Sequence, residues 1–204
     1  AALARAGHGD EALRLAVEAA QVFAPPEGMT EPGLQTRVHG DYHLGQVIRM
    51  RNAEWGMRNK GGGEPGGGGW MLLDFEGEPA RPLAARRRHQ HPLVDVAGMV
   101  RSWNYAARAA STGGPGAAAL ADAWEAVVRG RFLDAYWGEA DAAPIPFLPP
   151  ARADREALLR LFELTKALYE VRYELDNRPA MVNIPGDAVK RIMGNAEFGV
   201  RNAE

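Results

Sequence analysis

The segment HGDYHLGQ, residues 39–46, decides how this chain of 204 residues is interpreted. Arg37 and Val38 before it are predicted to end a short strand, and the alternation at 47–50 predicts a strand leaving the loop. Further along, WMLLDF at 70–75 is a compact apolar strand candidate that ends in acidic residues. Both strands therefore lead polar side chains into loops, where functional sites are commonly built.

The spacing of acidic and amide side chains in these segments predicts phosphoryl transfer. Asp41 and Gln46 are as far apart as the catalytic Asp and the metal-binding Asn of the kinase loop H-R-D-x-x-x-x-N. Asp74, in LDFEG, then stands where the D-F-G motif is expected. In-line phosphoryl transfer needs one Asp to accept the proton of the attacking hydroxyl. It also needs Mg²⁺ at the phosphates of ATP, which a second Asp and an amide oxygen can hold.

Composition excludes several other classes of protein. The chain has no cysteine, so disulfides, thiol catalysis and cysteine-based metal sites are ruled out. A formal net charge of -2 at pH 7 gives no basic field that would attract nucleic acid or an anionic membrane. The apolar runs are too short for a membrane span, and the first residues do not form a signal peptide. We therefore expect a cytoplasmic protein.

The remainder of the chain is predicted to be mainly helical. Apolar residues that recur on one face at helical spacing, with Pro and Gly at the breaks, predict helices at about 10–24, 92–110, 117–137, 154–177 and 186–194. The glycine-rich stretch at 60–69 is interpreted as a flexible hairpin extension, because no Lys-Ser or Lys-Thr follows it as in a phosphate-binding loop. The expected class is α+β, mainly helical, with a small central β-hairpin.

Longer strings resemble a known family. HGD-x-H-x-x-Q is similar to the catalytic loop of aminoglycoside-phosphotransferase-like kinases. Four strings resemble bacterial maltokinases: RVHGDYHLGQV (37–47), LLDFEGEPARPLAARR (72–87), PLVDVAGMVRSWNYAA (92–107) and YEVRYELDNRP (169–179). The resemblance implies the C-terminal lobe of a protein-kinase-like fold that uses ATP and Mg²⁺. It also implies phosphorylation of maltose to maltose 1-phosphate for α-glucan and glycogen synthesis, and fusion to or association with trehalose synthase.

The resemblance implies a role for each residue that matches the family's motifs. The implied catalytic base is Asp41, and the implied role of His39 and His43 is to brace the loop. The implied Mg²⁺ ligands are Gln46, Asp74 and Glu76. Asp95 is implied to be a structural support that caps the loop backbone.

A sugar pocket is expected on the long helix. Arg172 is seven positions after Thr165, which places it on the apolar stripe, and a buried arginine needs partners. Sugars are bound by polar groups beside an aromatic platform. The candidate sugar-binding residues are Trp103, Tyr169, Arg172, Tyr173, Glu174 and Asn177. Core packing, with an ion pair from Arg172 to Glu174 or Glu163, is an almost equally weighted alternative.

Residues 1–185 are interpreted as one kinase-like lobe, with the catalytic loop at 39–46 and a metal-binding strand end at 70–78. Residues 186–204 are interpreted as a C-terminal tail. No lysine precedes Lys60, so the N-terminal lobe with its phosphate-binding lysine is expected outside this chain. The isolated chain is therefore expected to lack useful kinase activity.

Several alternatives remain open at this stage. A transition-metal site on His39, Asp41 and His43 lacks the further histidines that such sites use. The basic stretch at 86–91 is interpreted as a solvated segment, with contact to ATP phosphates or an acidic partner as the alternative. The whole chain is alternatively a non-catalytic sugar-binding module, or a lobe of an aminoglycoside, choline or homoserine kinase.

Overall fold

The computed structural model describes residues 29–50, 69–79 and 81–201 of the protein. It confirms a mainly helical α+β class with a small sheet. The elements in these ranges are β1 (Val47–Arg49), β2 (Trp70–Leu72), α1 (Leu83–Arg86), α2 (Leu93–Ala110), α3 (Pro115–Asp141), α4 (Arg152–Asn177) and α5 (Asn183–Arg201). Short 3₁₀ turns occupy Leu44–Gln46, Ser111–Gly113 and Pro179–Met181. The predicted helix at 10–24 and the glycines at 61–68 lie outside the described residues.

The two strands pair antiparallel, with Val47 opposite Leu72 at the end nearest the 39–46 loop. The pairing continues one step further, because the Leu73 N–H donates to the Gln46 carbonyl at 2.9 Å. β2 is shorter than the predicted strand at 70–75. The reason is local: Asp74 has a φ of +63°, in the left-handed region, which ends an extended ladder. The strand predicted at 37–38 is reduced to one isolated bridge, from Thr36 to Gln90.

The central element of the core is α2, which packs against both α3 and α4. Leu93 and Ala97 of α2 are fully buried and contact Trp137 of α3 and Leu159 of α4. Their removal from water contributes most of the stabilisation that joins these helices. The face of α2 toward the 39–46 loop is thereby held in a fixed position.

The C-terminal segment differs from the predicted tail. Residues 183–201 form α5, and Val189 and Met193 of this helix pack on Leu164 and Val171 of α4. The 3,4 spacing of Val189, Ile192 and Met193 is an apolar helical stripe, which the sequence interpretation underweighted. In the part of the chain that the structure describes, no helix combines the length and the apolar content that crossing a membrane requires.

Candidate active site

Asp95, in the first turn of α2, fixes the start of the 39–46 loop. Its two carboxylate oxygens accept the backbone N–H groups of His39 at 2.7 Å and Gly40 at 2.9 Å. Gly40 has a φ of +83°, which glycine adopts without strain. Burial raises the pKa of Asp95, while these two hydrogen bonds act in the opposite direction. The loop backbone is therefore attached to a half-buried, hydrogen-bonded carboxyl group.

The face of α2 below the loop is shaped for close approach. A Cβ atom on Gly98 would lie 2.6 Å from the backbone oxygen of Tyr42, so only glycine fits there. One turn later, the Ser102 hydroxyl accepts the Leu44 N–H at 3.2 Å. The loop thus lies directly on α2, and its side chains project from a supported backbone.

His39 joins the loop to the segment after β2. Its ring is buried and lies 4.8 Å from the Phe75 ring. Nε2 donates to the Leu73 carbonyl at 2.6 Å, and Nδ1 accepts the Asp41 N–H at 3.3 Å. Both ring nitrogens are therefore engaged, so this imidazole braces the loop and offers no lone pair to a transition metal.

Gln46 and Asp74 meet at the ends of the two strands. The Gln46 amide donates to Asp74 Oδ2 at 3.2 Å, on an exposed part of the site. A carboxylate and an amide oxygen are hard ligands that suit Mg²⁺ when phosphates complete its coordination. In the described ranges, no three His, Asp or Glu side chains are grouped as they would be around a metal ion. The donor set thus fits Mg²⁺ shared with a nucleotide.

Glu76 and Arg86 brace the segment that follows Asp74. The Glu76 side chain is 63% exposed, with its carboxylate 3.8 Å from Arg86 Nη1. Arg86 also donates to the Glu76 carbonyl at 3.4 Å, and its aliphatic stem would contact a Cβ on Gly77. Arg86 is thus partly buried against this segment, unlike the solvated side chain expected for the basic stretch.

Asp41 lines a cavity of about 350 Å³ between the loop, α2 and α4. Two cationic or titratable groups flank its carboxylate. Lys166 Nζ lies 3.6 Å from Oδ1, and His43 Nε2 lies 3.8 Å from Oδ2. Lys166 is also 3.6 Å from Glu78 Oε2, so the ammonium lies between two carboxylates. This arrangement orients Asp41 at the edge of the cavity.

The floor of the cavity carries two glutamates of α4. Glu174 is 1% exposed, accepts the Tyr105 hydroxyl at 2.9 Å and receives two bonds from Arg178 at 2.6 and 3.0 Å. Glu170 accepts two bonds from Arg101 at 2.7 and 2.9 Å. Burial and these two acids raise the pKa of Tyr105, so its hydroxyl stays a donor. The floor is polar, acidic and hydrogen-bonded.

An aromatic wall completes the cavity. The Tyr169 and Tyr173 rings stack along α4 with centroids 6.5 Å apart. The Lys166 ammonium lies 5.2 Å from the Tyr169 ring centroid. Burial, followed by the charge of Glu78 and a hydrogen bond to it, raises the pKa of Tyr169 to about 12. Aromatic rings beside carboxylates are suited to a sugar ring that bears polar groups.

The structure brings some of the predicted sugar-site residues together. Of the predicted sugar-binding residues, Tyr169, Tyr173 and Glu174 line the cavity, together with Asp41 and His43 from the predicted catalytic loop. Trp103 instead packs in the core, with its ring edge-on to Phe132 at 4.8 Å. Asn177 is exposed and donates to the Tyr173 carbonyl at 2.9 Å, at the end of α4.

Arg172 is not the buried arginine that the sequence predicted. Its side chain is 75% exposed and lies 3.9 Å from Asp176 on the same helix. The prediction placed Arg172 on the apolar stripe because it is seven positions after Thr165, but Thr165 is itself exposed. The buried face of α4 runs instead through Leu164, Ala167, Val171 and Glu174.

The sequence did not predict six further polar residues of the cavity: Glu78, Ser102, Tyr105, Lys166, Glu170 and Arg178. Two patterns could have identified some of them. Gly98, Ser102 and Tyr105 share one face of α2 at helical spacing. Lys166 is one of only three lysines and is three positions before Tyr169, on the same side of α4.

Sequence comparison places the chain beside sugar kinases. It is 30% identical over 156 residues to a glucosamine kinase of Mycolicibacterium smegmatis, covering 76% of this chain and 34% of that protein. It is 32% identical over 100 residues to a glucosamine kinase of Streptacidiphilus jiangxiensis, covering 48% of this chain and 19% of that protein. The chain thus spans about a third or less of the length of these relatives. No protein-family model matches it.

Solved structures show the same fold in a kinase. A glucosamine kinase, in crystal form B, superimposes with a TM-score of 0.67 at 23% identity, over 91% of this chain and 40% of that one. A glucosamine kinase in complex with glucosamine, ADP and inorganic phosphate gives 0.62 at 20% identity, over 90% and 44%. The described fold is therefore that of part of a kinase, and the chain is similar to sugar kinases. These relatives are named for glucosamine, and none is named for maltose.

Proposed function

We propose that this chain is the lobe of an ATP-dependent sugar kinase that carries the catalytic loop. One observation carries the proposal. A single loop, 39–46, presents Asp41 to an acidic, tyrosine-walled cavity at one end and Gln46 to Asp74 at the other. An acceptor hydroxyl and a metal-bound phosphate need these two positions side by side. The glucosamine kinase solved with glucosamine, ADP and phosphate supports the same pairing of ligands.

In the proposed reaction, Asp41 accepts the proton of the attacking sugar hydroxyl. Lys166 and His43 hold its carboxylate from either side, and Asp95 and His39 fix the backbone below it. The tyrosine wall and the two glutamates orient the sugar. Mg²⁺ held by Gln46 and Asp74 would neutralise charge on the transferred phosphate. Position and electrostatics account for most of the catalysis in such transfers.

We propose glucosamine, rather than maltose, as the acceptor. Four carboxylates and only two cations line the cavity, the acids being Asp41, Glu78, Glu170 and Glu174. An acidic surplus favours an acceptor that carries an ammonium group. The names of the relatives support the same choice. Maltose remains the alternative acceptor, and association with trehalose synthase remains a prediction that none of these names supports.

The arrangement of the whole enzyme is also a proposal. We propose that the region that grips the α- and β-phosphates corresponds to the part of the relatives that this chain does not cover, since it spans 34% and 40% of two of them. Lys166 is committed to Asp41 and Glu78 in the cavity. The chain alone is then expected to bind sugar without turning it over. A protein-kinase-like architecture for the complete enzyme belongs to the same proposal.

The test is a substrate panel on the full-length protein. ADP release is measured with glucosamine, glucose, maltose, an aminoglycoside, choline and homoserine. Glucosamine is expected to give the highest kcat/KM, and Asp41→Asn is expected to reduce kcat by about a hundredfold or more while nucleotide binding persists. Asp154→Asn, on α4 away from the loop, is the matched control. Full turnover by Asp41→Asn would contradict the assignment of Asp41 as the catalytic base. A higher kcat/KM for maltose than for glucosamine would support maltose as the acceptor.

Calorimetry separates the kinase from a non-catalytic sugar-binding module. In a kinase, sugar binding to the full-length protein is expected to depend on bound Mg-nucleotide, because both ligands meet at the loop. Sugar binding that is indifferent to nucleotide, together with no turnover of any substrate, would support the module instead.

A further inference from the structure

A second and larger cavity, of about 670 Å³, lies on another face of α2. Val100 and Asn104 line it, whereas Gly98 and Tyr105 line the first cavity. Its volume falls within the range of about 300–1,000 Å³ that small-molecule sites occupy. Helices α3, α4 and α5 supply the other walls. Nothing in the proposed phosphoryl transfer uses this cavity.

The buried carboxylates of this second cavity are already satisfied. Glu163 accepts two bonds from Arg129, at 2.6 and 2.8 Å. Glu125 accepts two from the Asn104 amide, at 2.9 and 3.0 Å, and one from Arg191 at 3.2 Å. A guanidinium carries more N–H donors than these bonds use. The other two carboxylates on the walls, Asp122 and Glu156, are paired with Arg108 and Arg152. Five arginines and four carboxylates line the cavity, so its walls hold one guanidinium in excess.

Two further donors of the second cavity have no partner among the described residues. Arg160 lies on its wall, and it makes no hydrogen bond or ion pair with any residue of the described ranges. Trp137 is 2% exposed, and its indole N–H finds no acceptor within the same part of the chain. For the buried Trp137 indole the missing acceptor is costly, and an acceptor-rich ligand would remove that cost. Arg160 is exposed, so its guanidinium is open to a ligand at the mouth of the cavity.

We propose that the second cavity binds a small phosphorylated organic anion. Arg129, Arg160 and Arg191 approach from three different helices. That arrangement suits the tetrahedral oxygens of a phosphate better than the two coplanar oxygens of a carboxylate. Leu133 and Leu159 form an apolar wall for the organic part. The proposal depends on this cavity alone and stands or falls apart from the sugar-kinase proposal.

The experiment titrates the full-length protein with glucose 6-phosphate by calorimetry, with inorganic phosphate and glucose as separate titrants. Binding of glucose 6-phosphate is expected to weaken about tenfold in Arg160→Gln, the loss of one charged hydrogen bond. Because Arg160 is exposed and makes no hydrogen bond or ion pair with a described residue, this variant is expected to keep its fold. Arg172→Gln, an exposed arginine on the same helix, is the matched control and is expected to bind like the parent.

A third variant assigns the site. Lys166→Met removes the cation from the first cavity and is expected to leave glucose 6-phosphate binding unchanged. Equal binding by Arg160→Gln and the parent would overturn the proposal. Loss of binding in Lys166→Met would also overturn it, because that result places the anion in the first cavity. A parent protein that does not bind glucose 6-phosphate at millimolar concentration would overturn it as well. Inorganic phosphate that binds as tightly as glucose 6-phosphate would overturn the role of the organic part.

Discussion

Lys166 on α4 places its ammonium 3.6 Å from the carboxylate of Asp41 on the catalytic loop. The two residues are 125 positions apart, so only the packing of α4 across α2 brings them together. The same ammonium contacts Glu78 and the Tyr169 ring. The long helix therefore supplies both a wall of the proposed sugar cavity and a partner for the proposed base.

Replacing Lys166 by Met is expected to lower kcat of the full-length protein by about tenfold to a hundredfold, because a mispositioned base costs that much. KM for ATP is expected to stay unchanged, since Lys166 lies on the sugar side. Steady-state kinetics with both substrates varied measures the split. Lys166→Arg should recover part of kcat. Arg172→Met, exposed on the same helix, is the control, and an equal loss there would remove the special role of Lys166.

Gly98→Ala is expected to destabilise the protein by about 1–3 kcal/mol, the usual cost of forcing extra atoms into a packed site. The new Cβ would meet the Tyr42 carbonyl at 2.6 Å and displace the catalytic loop. Gly130→Ala on α3 is the matched control, since no atom lies within 4 Å of its added Cβ. It should instead gain up to about 1 kcal/mol of helix stability. Urea titrations of both variants give the comparison, and a neutral Gly98→Ala contradicts it.

Asp95→Ala is expected to cost about 3 kcal/mol of unfolding free energy, because the His39 and Gly40 N–H groups lose their acceptor. Asp95→Asn keeps one oxygen and should lose about half as much. Asp154, in the first turn of α4, is the control and should cost about 0.5 kcal/mol or less. Similar losses at both positions would show that Asp95 acts only through the helix terminus.

Tyr169 is expected to titrate near its raised pKa of about 12 in ¹³C NMR of labelled tyrosine. Glu78→Gln should lower that pKa, although burial, the largest cause, keeps it above the ordinary value of 10.0. Because the folded form holds this proton more tightly, unfolding free energy falls as pH rises from about 10 to about 12. Glu76→Gln, on the same segment, is the control, and an equal shift there would exclude a specific contact with Glu78.

The hairpin and the place of the 39–46 loop before its first strand were predictable because they depend on local signals. Strand alternation located β1 and β2, and the spacing of Asp41 and Gln46 identified the two ends of the loop. The helix interiors followed from apolar periodicity, within a few residues at each end. These patterns need no knowledge of which element packs on which.

The sugar cavity was only partly predictable, because it depends on how helices face one another. α4 is buried on two sides, by α2 and by α5. A helix with two buried sides has a wide apolar surface, so periodicity does not fix which side carries a given arginine. Arg172 was misplaced for that reason. Lys166 and Tyr105 were missed because each becomes a cavity residue only when two helices meet.

The burial of Arg101 limits how the cavity can be redesigned. The Arg101 side chain is 2% exposed, and its guanidinium donates hydrogen bonds to both Glu170 and Asn104. Glu170 lines the proposed sugar cavity, and Asn104 lines the second cavity. Removing Glu170 alone to admit a different acceptor would leave a buried charge without its partner, a loss of about 3–5 kcal/mol. A paired replacement of Arg101 and Glu170 by apolar residues avoids that loss. Changes in specificity at this position are thus expected to arise as coupled substitutions.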